Sequence, residues 1–263
     1  MRILILGGTS EASALIAALA GTMHEVTLSL AGRTTAPKTG SVRTRIGGFG
    51  GAEGLAAWMR EDGTDLLIDA THPFAARICV SAAEAARAAG IPILAIRRPP
   101  WIRESGDRWT EVDTVEDSVA ALGEAPRRVF VTVGRLELAA FAAAPQHDYV
   151  VRTIEPVGDA LPVPRLTTIA ARGPFAATEE ERFMREAGIA VLVTKNSGGD
   201  ATYAKITAAR ALGMPVVIVR QPLKPEVARV ADVAGAMAWV AHDLTKRRES
   251  SHAPLPSPAE GEG

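Results

Sequence analysis

The feature that most constrains this chain is its start, where Ile3-Leu4-Ile5-Leu6 runs straight into Gly7-Gly8-Thr9-Ser10. Four consecutive apolar residues cannot make a strand with one wet face. They predict a strand buried on both faces, as in parallel sheets held between layers of helices. The glycines predict a tight turn, and Thr9 or Ser10 is placed to cap a helix through the alanine-rich stretch from Ala12 to Ala20. The start of such a helix carries bare N–H groups and partial positive charge, a ready phosphate site. Gly7, Gly8, Thr9, Ser10 and Glu11 are therefore candidate dinucleotide contacts. The pattern is not G-x-G-x-x-G, and Glu11 sets a negative charge beside the proposed phosphates. An ordinary strand-to-helix turn would use the same residues.

The same alternation continues. Glu25 to Ala31 reads as a second strand, ending at Gly32-Arg33. An acid at that strand end favours NAD; none is present, and Arg33 suits the 2′-phosphate of NADP. Gly47 and Gly48, in a glycine-rich stretch before a helix from Glu53 to Glu61, make either a mobile loop or a second close backbone approach to a ligand. Asp65 to Asp69 is a strand that leaves through Thr71, His72 and Pro73. Functional groups gather at carboxyl strand ends in open α/β sheets, so Thr71 and His72 are candidates beside the nicotinamide or the substrate. A helix-capping role explains His72 equally well. Cys79 reads as core within a helix from Ala75 to Ala89, and Arg97-Arg98 as a solvated connection after the strand Ile93 to Ile96. Trp109 to Val112 and Val115 to Leu122 add a strand and a helix, the pattern of a doubly wound parallel sheet.

After Glu124-Ala125-Pro126-Arg127-Arg128 the alternation restarts, with strands near Val129, Tyr149, Leu166, Ala190 and Val216 and a last helix from Val230 to Leu244. Three of these strands end in glycine beside a cation: Gly134-Arg135, Arg172-Gly173 and Lys195-Asn196-Ser197-Gly198-Gly199. In a parallel sheet those ends share one edge. Loop amides, helix starts and full cations then make a local positive field, suited to a ligand with several carboxylates or phosphates. The chain as a whole carries a net charge of -1, which argues against nucleic acid or an anionic membrane as partner. A single cysteine excludes an intrachain disulfide and a multi-cysteine metal site, and no apolar run approaches membrane-spanning length. A cytoplasmic protein without a metal centre is expected. No H-E-x-x-H, G-x-S-x-G or G-x-x-x-x-G-K-[ST] pattern is present, and Tyr203-Ala204-Lys205 lacks the Tyr-x-x-x-Lys spacing of one reductase class. Hydride transfer from a nucleotide cofactor to a polyanionic substrate fits best.

Taken together, Gly7-Gly8-Thr9-Ser10-Glu11-Ala12, Ala31-Gly32-Arg33, Arg45-Ile46-Gly47-Gly48-Phe49-Gly50, Asp69-Ala70-Thr71-His72-Pro73-Phe74-Ala75, Arg172-Gly173-Pro174-Phe175 and Lys195-Asn196-Ser197-Gly198-Gly199 resemble the precorrin-6A reductase family of cobalamin biosynthesis. The resemblance covers Arg2 to about Leu244. It implies two Rossmann-like α/β domains with parallel sheets and a cleft between them, and NADPH-dependent reduction of a macrocyclic double bond in precorrin-6A to give precorrin-6B. Residues 1–125 are then expected to bind NADP and residues 126–247 the substrate, with 248–263 a disordered tail. The dinucleotide is expected on Gly7 to Glu11, Arg33, Gly47, Gly48, Thr71 and His72. The tetrapyrrole carboxylates are expected on Arg135, Arg172, Gly173, Lys195, Asn196, Ser197, Gly198 and Gly199, with His72 or Lys195 as candidate catalytic groups. Channelling to neighbouring enzymes of the pathway is left open. Two alternatives stand beside this reading: an NADH-dependent reductase of the cobalt-loaded substrate, and a non-catalytic NADP-binding redox sensor.

Overall fold

The computed structural model describes residues 1–32 and 42–251, with side chains up to Asp243. The opening apolar run forms β1 (Arg2–Leu6), paired in parallel with β2 (Glu25–Leu30) on one side and β4 (Leu66–Asp69) on the other. Its side chains divide by parity. Ile3 and Ile5 pack with α1 (Ser10–Leu19) and α7 (Val233–Ser251), while Leu4 and Leu6 pack with α2 (Ala52–Asp62) and α3 (Ala76–Ala89). None of the four is more than 2% exposed, which is why the strand is apolar from Ile3 to Leu6. Each such burial contributes roughly 1.5–3 kcal/mol.

Two parallel sheets of six strands make up the fold. With β3 (Arg43–Ile46), β5 (Ile93–Ile96) and β12 (Ala228–Val230), the first runs β12-β5-β4-β1-β2-β3. The second comprises β6 (Arg108–Val112), β7 (Arg128–Val131), β8 (Asp148–Thr153), β9 (Leu166–Ala170), β10 (Val191–Lys195) and β11 (Pro215–Val219), in the order β6-β11-β10-β7-β8-β9. One face of it is covered by α4 (Val115–Ala120) and a 3-10 helix over Arg135–Ala143, the other by α5 (Ala177–Glu186) and α6 (Ala204–Ala211). The α/β architecture expected from the sequence is therefore present, in two sheets.

The division between the sheets does not fall at residue 125. β6, expected in the first half, pairs with β11 in the second sheet. β12, not anticipated as a strand, returns to pair with β5, and α7 follows it onto the first sheet. Each sheet thus takes an edge strand from the other part of the chain. Short edge strands are held by backbone pairing on one side only, so their side chains carry little information about which sheet they join. The helix expected to stop at Leu244 also runs on to Ser251, so 248–251 of the expected tail are helical. Its Lys, Arg and Glu residues are good helix formers and no proline interrupts it. Residues 252–263 lie outside those described. Among the described residues no helix is long and apolar enough to cross a membrane.

Candidate functional site

At the carboxyl end of β1 the predicted turn has the geometry of a phosphate cradle. A Cβ on Gly7 would stand 2.5 Å from the Leu28 Cδ1 and 3.2 Å from the Ala12 Cβ, so a side chain there would have to displace the buried Leu28. Gly8 holds φ +106 with nothing within 4 Å of where a Cβ would be. Thr9 is the N-cap: its Oγ1 accepts from the Ala12 N–H at 3.2 Å and donates to the Ala70 carbonyl at 2.7 Å, tying this turn to the end of β4. The earlier N–H groups of the first helical turn have no intrahelical acceptor. A dinucleotide pyrophosphate fits this turn. Glu11 pairs with Arg98 at 3.3 Å, which offsets its charge beside the cradle.

The Gly47–Gly48 loop is locked beside β2. Gly47 N–H donates to Leu30 O at 2.8 Å, and Arg45 donates to the carbonyls of Gly47 (2.6 Å) and Gly48 (2.7 Å) with its guanidinium over the Phe49 ring. Arg33 lies outside the described residues.

Asp69 ends β4 with its side chain fully buried. It accepts from Arg97 Nη2 at 2.5 Å and from the Thr71 hydroxyl and N–H at 2.6 and 3.1 Å. Burial would raise the Asp69 carboxyl, but hydrogen bonds and charge from Arg97, with Thr71 and Cys79, hold it below the ordinary carboxylate value. Arg97 and Arg98 are not the solvated connection expected: their side chains are only 16% and 14% exposed, each against an acid. His72 keeps an exposed edge, and its Nδ1 accepts the Phe74 N–H at 3.2 Å. Loss of water around the ring, then the charges of Lys195, Arg98, Lys224 and Lys205, push it well below the ordinary histidine value. A neutral ring that accepts at Nδ1 carries its proton on Nε2.

The second sheet meets the first here. Lys195, at the end of β10, forms an ion pair with Glu137 at 2.5 Å, and its Nζ sits 4.7 Å from the centroid of Phe74, which leaves β4. Asn196 is committed to the joint: its Oδ1 accepts from Trp101 N at 2.7 Å and its Nδ2 donates to Trp101 O at 3.0 Å. Trp101 Nε1 donates to Gly199 O at 2.7 Å, and Gly198 presses on Pro99. Ser197 lies between them, partly buried. Thus the 195–199 loop clasps the segment that carries the chain from β5 to β6. Arg135 is exposed, its Nε donating to Val157 O at 3.1 Å. Arg172 is exposed at the end of β9, three strands from β10, and pairs with no described acid. Gly173 lies against Phe175, whose ring stacks on Arg152, itself held bidentately by Glu180 at 2.6 and 2.5 Å. His72, Phe74, Lys195 and Glu137 are therefore brought together, while Arg172 flanks them at a distance.

Several residues went unread in the sequence. Arg97 and Arg98 read as solvated, although they carry the strand-end signal used elsewhere in the chain. Gln221 and Lys224, from the crossover between β11 and β12, line a small recess with Thr9, Thr71, Pro73 and the two arginines. Nothing local marks them, because the crossover follows from the exchanged strands. Lys205, 7% exposed at the start of α6, donates to Thr202 O at 2.7 Å beside Trp101. Burial first, then the charge of Arg152, brings its pKa down to about 7.

Known proteins give the same picture. The family model described as precorrin-6x reductase CbiJ/CobK matches residues 2–241. A precorrin-6A reductase of Sinorhizobium sp is 49% identical over 244 residues, covering 92% of this chain and 94% of the relative. The solved structure of a CobK precorrin-6A reductase superposes with a TM-score of 0.87 at 43% identity, covering 92% of this chain and 96% of that one. A cobalt-precorrin-6A reductase of Priestia megaterium is 28% identical, covering 84% of this chain and 90% of the relative. With the glycine turn, the cationic strand ends and the exchanged edge strands in place, this chain belongs to the precorrin-6x reductase CbiJ/CobK family.

Proposed function

We propose that this chain uses NADPH to reduce a macrocyclic double bond of precorrin-6A, giving precorrin-6B in cobalamin biosynthesis. The observation that carries the reading is the contact of Lys195 with Phe74, which sets the cationic edge of the second sheet against the dinucleotide edge of the first. The backbone of Gly7 to Glu11 holds the pyrophosphate, Arg33 the 2′-phosphate, and the Gly47–Gly48 loop flanks the adenosine side. Thr71 and His72 face the nicotinamide. When bound, NADPH supplies the hydride. Arg135, Arg172 and Lys195 hold substrate carboxylates, with Ser197 and the Gly198–Gly199 amides beside them. Asn196 and Gly198 contribute by fixing the loop. His72, held neutral with its proton on Nε2, serves as a hydrogen-bond donor and not as a charged acid.

The identity of 49% to a relative acting on precorrin-6A, against 28% to one acting on the cobalt-loaded compound, favours the metal-free substrate. The test is direct: purified protein with precorrin-6A should oxidise NADPH stoichiometrically with a change in the tetrapyrrole spectrum, and do so better than with NADH. Tight NADPH binding without turnover would leave the sensor reading. Lys195→Ala should raise the KM for the tetrapyrrole about ten- to hundredfold and leave the KM for NADPH nearly unchanged, since a charge-assisted contact contributes roughly 1.5–3 kcal/mol. An effect confined to NADPH would reverse the assignment of the two edges.

A further inference from the structure

We infer that Gln221 reads the nicotinamide half of the dinucleotide, reaching it from the crossover between β11 and β12. The inference rests on the cofactor reading above and goes beyond it by assigning a residue from outside the β1 turn. Gln221 Nε2 is buried and has no hydrogen-bond acceptor. Buried amide donors are nearly always paired, so this one calls for an acceptor that a ligand brings. Gln221 lines the recess at the ends of β1, β4 and β5 with Thr9, Thr71, Arg97, Arg98 and Lys224. Each of the other donor side chains there has at least one partner. Thr9 donates to Ala70 O, Thr71 and Arg97 to Asp69, and Arg98 to Glu11. Lys224 lies against the Cys79 thiol. Among the described residues lining the recess, Gln221 Nε2 is the buried side-chain donor with no partner at all.

Position identifies the acceptor. A dinucleotide laid across the end of β1 has its adenosine on one side of that strand and its nicotinamide on the other. Here β2 and the Gly47–Gly48 loop occupy the first side, and the recess opens on the β4 and β5 side. Gln221 also borders the substrate loop: a Cβ on Gly198 would lie 3.3 Å from its Nε2. The donor thus stands where cofactor and substrate meet. The ligand atom it takes is an acceptor oxygen of the nicotinamide riboside, either the carboxamide or a ribose hydroxyl. A neutral amide suits such a group, whereas the cations of the second sheet suit carboxylates.

The test compares full-length wild type, Gln221→Ala and Gln221→Glu by calorimetric titration. Two ligands are used: the dinucleotide that wild type prefers, and its adenosine fragment alone (adenosine 2′,5′-bisphosphate for NADPH, AMP for NADH). Both variants should bind the dinucleotide roughly five- to tenfold more weakly, the range for one lost hydrogen bond, and bind the fragment as wild type does. Unchanged fragment binding also shows that the β1 turn is still folded. Equal dinucleotide affinity in variant and wild type overturns the inference. So does equal weakening of both ligands, or a raised tetrapyrrole KM with no change for the dinucleotide. Failure of wild type to bind any dinucleotide removes the cofactor reading itself, a result distinct from these.

Discussion

Gly198→Ala should lower the melting temperature by about 5–15 °C and abolish tight tetrapyrrole binding. The added Cβ would stand 2.2 Å from the Pro99 carbonyl oxygen, and the residue holds φ +66, where an L side chain is strained. Both obstacles are backbone, so neither can be relieved by a rotamer change. Left-handed strain and overpacking each cost about 1–3 kcal/mol, and a chain of this size loses about 2–4 °C per kcal/mol. Gly199→Ala is the matched control. It has nearly the same φ, +67, but its Cβ would meet the flexible Arg98 side chain at 3.0 Å. Calorimetry on the pair should show Gly198→Ala as the more damaged by several degrees. Similar melting temperatures would mean that the 195–199 loop does not bear on the β5–β6 segment as described.

Asp69→Ala should cost about 3–5 kcal/mol. The carboxylate is fully buried, and its loss strands Arg97, itself only 16% exposed, without a counter-charge. Thr71 loses its acceptor as well, so the turn before His72 loosens and turnover falls together with stability. The acid dependence follows from the depressed carboxyl. Below its folded pKa the group is protonated in both states and contributes nothing; above the unfolded value, near 4, its contribution is complete. The gap in stability between wild type and Asp69→Asn should therefore be widest at neutral pH and shrink as pH falls below about 4. Denaturant titrations across that range measure it. A gap independent of pH would show that the Arg97 contact is not ionic.

Local chemistry was legible in the sequence where neighbours in the chain are neighbours in space. Ile3 to Leu6, Gly7 and Gly8, and the Thr9 cap all act within a dozen residues, and the structure places them as their chemistry requires. The carboxyl ends of β4 and β10 were readable for the same reason: strand, turn and helix follow one another directly. What stayed hidden depends on distant partners. Glu11 made no sense until Arg98 stood beside it. Asn196 read as a ligand contact because its actual partner, Trp101, is 95 residues away in sequence. Arg97 and Arg98 read as solvated because the acids they meet, Asp69 of β4 and Glu11 of α1, come from elements distant in sequence. The edge strands show the limit most clearly: Ala228-Arg229-Val230 is three residues long, mostly exposed, and joins its sheet through backbone pairing to β5 and the packing of one side chain, Val230.

The exchange of edge strands also sets an order of assembly on the ribosome. Leu94 in β5 finds its outer neighbour only when Ala228 has been made, after every strand of the second sheet. Until then the first sheet carries a bare edge, and the apolar face that α7 will cover stays open. Such edges invite pairing with other chains, and contacts this distant in sequence close slowly. The half translated first is therefore finished last. The Gln221–Lys224 crossover, which lines the recess at the ends of β1, β4 and β5, comes into place in that same final step.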